Sequence, residues 1–325
     1  MERVFGMMKS AVLASLVLLA AASTGCSDAR RQSEEFCSVG LERLASNDLV
    51  EASKCFEKSL ELNPRFAPSH VGLGEIALRT RDYEGAEEEF NAALAANPRV
   101  VNALSGRGEA RLGLSRFDDA IADFDAALAI EPRRVATLAN RGYAYAHVGK
   151  LDEALADMNR CVESEPTSPY YYVNRGLLRQ KRREYAQGVE DLSKAIELEP
   201  FNPMNFAVRG RIYEDSGDWD AAVADFNKAL ELDPECFAAY KYRGFHFKVV
   251  GDWENAHMDF SRAMEINPSD PDLYFERAGV LKQLGRDAEA AADLAKVDEL
   301  SPEYRTGGAS AEAVLPAPAA ESAAE

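Results

Sequence analysis

The sequence predicts an all-α chain built as a stack of short helix pairs, and three observations predict it. Eight prolines stand thirty-four residues apart, at Pro64, Pro98, Pro132, Pro166, Pro200, Pro234, Pro268 and Pro302. Between them, two columns at fixed offsets hold only small residues, and a third holds only large apolar ones. Proline lacks an N–H and its ring clashes with the preceding turn, so each one ends a helix and hands the chain to the next pair. A period of this length marks a quasi-one-dimensional array in which each unit packs only on its neighbours, so 325 residues need no division into several globular cores.

Residues 1–25 stand outside the array. Arg3 and Lys9 precede an apolar run from Ala11 to Ala22, too short to span a bilayer as a stable helix, and the pattern is that of a signal-peptide core. The run ends in Ser23, Thr24, Gly25 and Cys26. This resembles the lipobox of bacterial lipoproteins, where a small residue precedes a cysteine that is lipidated and becomes the mature N-terminus. Gly25 and Thr24 suit that pattern, whereas Ser23 stands where an aliphatic residue is usual. Cleavage by ordinary signal peptidase after Ala20, Ala21 and Ala22 therefore stays open, as does an uncleaved anchor helix. The resemblance implies an exported chain, attached through Cys26 to a membrane of the bacterial cell envelope. Ser27 in place of an Asp retention signal points to the outer membrane, periplasmic side. Residues 26–32 are then a short tether that holds the first unit close to the bilayer.

The chain carries a net charge of −18, and loss of Glu2, Arg3 and Lys9 with the leader brings it to −19. A polyanion is bound by clustered Lys and Arg that displace counterions, so nucleic acid is not an expected partner. The same acidity is expected to keep the body of the protein from lying on anionic headgroups.

Counting each Pro as the thirty-second position gives repeats over 33–66, 67–100, 101–134, 135–168, 169–202, 203–236, 237–270 and 271–304. The eighth position reads Gly40, Gly74, Gly108, Gly142, Gly176, Gly210, Gly244 and Ala278, and the twentieth is Ala throughout except Gly188. A mid-helix Gly costs about 1 kcal/mol against Ala, so seven in register mark a close helix approach. The twenty-fourth position is Phe56, Phe90, Phe124, Met158, Leu192, Phe226, Phe260 and Leu294, side chains that plug the space between units. These columns together resemble the tetratricopeptide repeat over residues 33–304. The resemblance implies a right-handed superhelical solenoid of eight repeats, with the first helix of each lining a concave groove that takes protein or peptide segments.

One pair of columns departs from the family pattern. The seventh position, usually Leu there, is Val39 and Leu73 and then Arg107, Arg141, Arg175, Arg209, Arg243 and Arg277. The twenty-third is Cys55 and Glu89 and then Asp123, Asp157, Asp191, Asp225, Asp259 and Asp293. Either the arginines form a ladder for an anionic ligand, or each makes a bidentate bridge to an aspartate between helices. Matched appearance in the same six repeats favours the bridge. Pairing within a repeat and pairing with the preceding one both remain open, because Glu89 could serve Arg107.

By the resemblance, the groove lining comes from the second, fifth, ninth, twelfth and thirteenth positions. In the first three repeats these include Cys37, Leu41, Leu44, Val71, Leu78 and Leu112, an apolar stretch with Glu75 and Glu109. In the others they include Tyr143, Tyr170, Lys181, Arg211, Lys241, Phe245, Lys248, Phe275 and Lys282 against Glu214, Asp215 and Asp272. That mixture of cations and aromatics is the candidate surface for an extended client with apolar anchors and some acidic residues. No repeat carries the Lys and Asn pair of the chaperone-type carboxylate clamp, which disfavours capture of an extreme C-terminus by that route.

Other chemistry is sparse. His70, His147, His246 and His257 fall at different repeat positions without metal-site spacing, and no nucleophile elbow or phosphate loop is present. The chain thus reads as a non-enzymatic scaffold without cofactor, metal or small-molecule substrate. Cys37 and Cys55 could pair in an oxidising compartment, while Cys161 and Cys236 read as small buried side chains. Residues 305–325, rich in Ala, Pro and Glu, read as a disordered tail in which Ala309 to Leu315 could form a short cap. The rival to a groove-binding adaptor is a structural scaffold that assembles through its solenoid ends.

Overall fold

A computed structural model describes residues 28–302. The leader, the lipidation candidate Cys26 and the 305–325 tail lie outside the described residues. All the regular structure among the described residues is helical, sixteen helices in consecutive pairs with no strand. They fall into two compact units that divide at Val148 and Gly149, inside the fourth repeat.

The first unit holds α1 (28–45), α2 (Leu49–Leu62), α3 (Ala67–Arg79), α4 (Tyr83–Ala96), α5 (Val101–Gly113), α6 (Phe117–Ile130) and α7 (Val135–His147). The second holds α8 (Leu151–Ser164), α9 (Pro169–Lys181), α10 (Tyr185–Leu198), α11 (Pro203–Ser216), α12 (Trp219–Leu232), α13 (Phe237–Val250), α14 (Trp253–Ile266), α15 (Pro271–Gln283) and α16 (Asp287–Leu300). The first helix of each repeat therefore carries an odd number and the second an even one.

Two local devices make each helix pair. The fifteenth position of every repeat has positive φ, at Asn47, Arg81, Ser115, Gly149, Arg183, Gly217, Gly251 and Gly285. That single left-handed residue reverses the chain, and in four repeats it is not glycine. The next residue caps the second helix wherever it is aspartate. Asp48, Asp82, Asp218 and Asp252 accept from the N–H three residues on, which satisfies one of the free donors at the helix start.

The small columns make room for the large one. Phe56 is fully buried between two first helices, and a Cβ at Gly40 or Gly72 would lie 2.6 or 2.3 Å from its ring. Phe90 sits in the same way between Gly74 and Gly106, at 2.8 and 2.3 Å. Such distances leave no space for a methyl group without shifting the helices. Gly176 stands 2.2 Å from Leu192 by the same measure, so the rule survives the change of plug. The expected close approach is thus helix to aromatic ring more than backbone to backbone.

Polar contacts fix the edge where the first helices begin. Ser59 near the end of α2 accepts from Ser69 on α3 at 2.7 Å and lies 2.9 Å from Ser33 on α1, which brings the starts of α1 and α3 together. Ser105 on α5 and Thr137 on α7 meet at 2.9 Å and do the same one step on.

Candidate functional site

The arginine and aspartate columns resolve into a single geometry. In the third, fifth, sixth, seventh and eighth repeats the guanidinium Nε and Nη2 donate to both carboxylate oxygens of the aspartate of the same repeat. The closest contacts are 2.6 Å for Arg107 and Asp123, 2.6 Å for Arg175 and Asp191, and 2.8 Å for Arg209 and Asp225. They are 2.8 Å for Arg243 and Asp259 and 2.7 Å for Arg277 and Asp293. All six aspartates, Asp157 included, are buried. The planar guanidinium matches the carboxylate fork, and the hydrogen-bonded carboxylate holds the Arg209 and Arg243 protons more tightly than usual.

The third donor reaches backwards. Nη1 of Arg107 donates to Asn91 at 2.7 Å, Arg141 to Asp125 at 2.6 Å and Arg243 to Asn227 at 2.6 Å, each in the preceding repeat. Arg175, Arg209 and Arg277 do likewise to Asn159, Ser193 and Ser261. This twenty-fifth column of small acceptors escaped the sequence reading, although its polarity beside a Phe column was a usable signal. Pairing is within a repeat for aspartate and between repeats for the acceptor. Arg111 and Arg179 add a second guanidinium to Asp123 and Asp191, at 2.8 and 2.7 Å.

The second repeat carries a different polar contact. His70 sits between Glu89 at 2.7 Å and the carbonyl of Pro64 at 3.1 Å, and the bond to Glu89 raises its pKa. Two acceptors on one imidazole are satisfied together only by the charged ring.

The groove candidates separate into three kinds. Lys181 and Lys282 are exposed, and Phe275 keeps 44% of its surface open. Tyr143, Tyr170 and Phe245 are half-buried. Tyr143 lies 4.5 Å from His147, which stacks on Phe117 at 4.4 Å. Tyr170 meets Tyr171 edge-on at 5.3 Å, and Phe245 meets Phe260 likewise at 5.3 Å. The remaining cations of the candidate surface lie against acids. Lys241 is 2.8 Å from Asp270 and 3.6 Å from Asp272, Lys248 is bridged to Glu276, and Arg211 lies 3.5 Å from Asp215 and 5.5 Å over the Tyr242 ring. Each lysine is neutralised by acids on α15 or at its N-cap, a match visible only once the helices are side by side.

Glu214, on the same face of α11, is the unusual acid. Its side chain is 10% exposed, its Oε2 accepts no hydrogen bond, and burial pushes its pKa to about 7 despite Arg211 at 3.8 Å. No disulfide joins the described cysteines, Cys37, Cys55, Cys161 and Cys236. Cys37 and Cys55 are not joined, and burial pushes the Cys161 thiol up to about 12. No cluster of three or more His, Cys, Asp or Glu able to hold a metal lies among the described residues, and no described helix is long and apolar enough to cross a membrane.

A comparison with curated protein sequences gave no match. Among solved structures, a tetratricopeptide repeat protein from Parabacteroides merdae is similar, with 19% identity, a TM-score of 0.62, and coverage of 77% of this chain and 99% of that one. PilF of Pseudomonas aeruginosa shares 20% identity with a TM-score of 0.57, covering 67% of this chain and 98% of its own. PilW, a type IV pilus biogenesis factor, shares 20% identity and the same TM-score, over 62% and 94%. Tetratricopeptide repeat family models match residues 40–100, 105–169, 206–236 and 271–304. With eight helix pairs in register and these matches over most of them, the chain belongs to the tetratricopeptide repeat family, whose members generally mediate protein–protein interactions.

Proposed function

We propose that the chain is a non-catalytic scaffold of the bacterial cell envelope, lipid-anchored through Cys26, that holds an extended segment of a client protein against its first helices. The observation that carries the binding half is apolar exposure on that face. Val249 is 64% exposed on α13 and Phe275 is 44% exposed on α15, both at groove positions, while the lysines around them are held by carboxylates. Exposed apolar anchors ringed by internally balanced polar groups suit a protein segment, and they predict affinity carried by apolar contacts more than by charge. Lys181 and Lys282 are the exposed cations left to meet acidic client residues.

The envelope half rests on the apolar run that ends in Gly25 and Cys26. Likeness of fold to YrrB, a repeat protein with a peptide-binding site, and to PilW is compatible with both halves and adds no residue to either. Two measurements test the reading. Intact mass of the membrane-extracted protein should show a diacylglycerol-bearing species that begins at Cys26; a soluble form starting at Ser23 with unmodified Cys26 removes the anchor. A photo-crosslinker at Val249 or Phe275 in native membranes should trap one common client, and the same group at Lys296 on α16 should not. Trapping of a second copy from α16 alone would favour the end-assembled scaffold.

A further inference from the structure

Three arginines in the first unit have no partner. Arg65, Arg99 and Arg133 occupy the thirty-third position of three consecutive repeats, all are exposed, and their side chains make no ion pair or hydrogen bond among the described residues. Arg43 and Arg81 are also exposed without a side-chain ion pair or hydrogen bond, but they lie at the far ends of α1 and α3, whereas Arg107, Arg111, Arg116 and Arg141 are engaged. An acidic chain of 55 Asp and Glu against 37 Lys and Arg therefore leaves three cations open in one column.

Their place is unfavourable for stability. Each lies just before the start of a first helix, α3, α5 or α7, where the helix dipole disfavours positive charge, and none of those helices has a side-chain cap. The second unit treats the same turns differently, with Thr167, Phe201, Glu235 and Ser269 in the column and capping by Asn202 and Asp270. Acids also withdraw from this edge. The twenty-ninth position is Ala95 and Ala129 in the second and third repeats, beside Arg99 and Arg133, whereas it is Glu61 in the first and Glu in all five that follow.

The edge is also where the chain enters the fold. The Ser33, Ser59 and Ser69 contacts bring the start of α1 to the same edge as the start of α3, and α1 is already helical at residue 28, two residues after Cys26. Arg30 and Arg31 stand on that overhang, partly balanced by Glu34 and Glu35. First helices packed about 8–10 Å apart space the three open arginines too widely for one small anion and suitably for a surface of separate phosphates.

We infer that the edge formed by the starts of α1, α3, α5 and α7 is a membrane-docking strip, on which Arg65, Arg99 and Arg133 engage the phosphates of anionic lipids. This rests on the lipid-anchored reading for its orientation: an anchor at Cys26, two residues before α1 begins, would hold this edge close to the bilayer. The acidity of the whole chain does not oppose it, because charges beyond a Debye length of about 8–10 Å are screened. The strip adds a second, electrostatic signal of the kind that a single hydrophobic anchor needs for stable attachment.

The test uses the chain from residue 26 onward with Cys26→Ser, which contains every described helix and carries no lipid. It is floated with vesicles of phosphatidylcholine mixed three to one with phosphatidylglycerol, and with vesicles of phosphatidylcholine alone. Binding should be confined to the anionic vesicles and fall steeply with salt. R65Q/R99Q/R133Q should weaken it by about a hundredfold, at roughly tenfold or less per charge near the surface. R183Q/K282Q, which removes open cations elsewhere, should leave it unchanged. Equal binding by both variants, no binding to anionic vesicles, or arginine-dependent binding of single-stranded DNA with none to vesicles would each overturn the inference. Mass analysis of Cys26 is independent of all three outcomes, so an unlipidated protein that still floats would defeat the anchor and keep the strip.

Discussion

Where the third repeat clamps Asp123 between Arg107 and Arg111, the first two carry Val39 with Cys55 and Leu73 with Glu89 at the corresponding positions. The helix pairs close in the same way in both regions, because Phe56, Phe90 and Phe124 each plug against the eighth-position glycine of their own repeat. Shape complementarity is thus sufficient for the fold, and the arginine bridge is an additional layer. Removing two charges from water is expensive, so such a bridge is weak evidence of stabilisation in itself. What it adds is connection: Arg107 on α5 touches Asp123 on α6 and Asn91 on α4, so one side chain fixes three helices.

The largest test of that contrast is Asp191→Ala, which leaves Arg175 and Arg179 facing a hole where their carboxylate was. It should destabilise the protein by about 3–5 kcal/mol in denaturant unfolding. Cys55→Ala in the same column of the first repeat should cost no more than about 1 kcal/mol. Equal losses would erase the distinction between the two regions.

A second effect concerns pH. Burial raises the Glu214 pKa from 4.5 to about 7, so the folded state binds the proton more tightly than the unfolded one. Its stabilising contribution is fully present below about pH 4.5 and is lost as the pH rises through about 7. Glu214→Gln should therefore raise stability at pH 8 by up to about 3 kcal/mol and change little at pH 4. An unchanged melting temperature at pH 8 would place the carboxylate in better contact with Arg211 than its 3.8 Å separation allows.

The first region has its own titrating contact, smaller and also lost on the alkaline side. His70 is raised by its bond to Glu89, so its contribution is complete below its unfolded value of about 6.5 and disappears as the pH climbs through the higher folded value. His70→Leu, the residue found at Leu104 and Leu138 in that column, should remove about 1 kcal/mol of pH-dependent stability near pH 6 and none at pH 9. The smallest change is at the turn. Arg81 holds φ at +61°, and Arg81→Gly should stabilise by roughly 0.5–1 kcal/mol, whereas Gly217→Arg should do the reverse by a similar amount.

Much of the architecture was legible because identical slots recur. A column of glycines beside a column of Phe states a packing rule without any outside comparison, and the proline period places the boundary between one helix pair and the next. The column of left-handed residues was not legible in the same way, since Asn47, Arg81, Ser115 and Arg183 share it with four glycines, and only a backbone angle unites them. The candidate groove was the least legible part. Lys241 and Lys248 look like open cations along the chain, and the acids that neutralise them, Asp270 and Glu276, lie twenty-nine and twenty-eight residues away.

The sequence by itself determined the number of repeats, the faces that must be small or large, and the joint appearance of Arg and Asp in six of them, because each is a property of residue type at a fixed spacing. Tertiary structure alone decided which oxygen each guanidinium reaches and that its third donor turns back to the preceding repeat. It alone decided that Arg65, Arg99 and Arg133 share an edge with the start of α1. Spacing along a helix fixes the face a side chain leaves from, but a partner on another helix is selected by interaxial distance and register. Those are set by how Phe56 and its counterparts fill the glycine slots, a volume constraint that no single strand of residues contains.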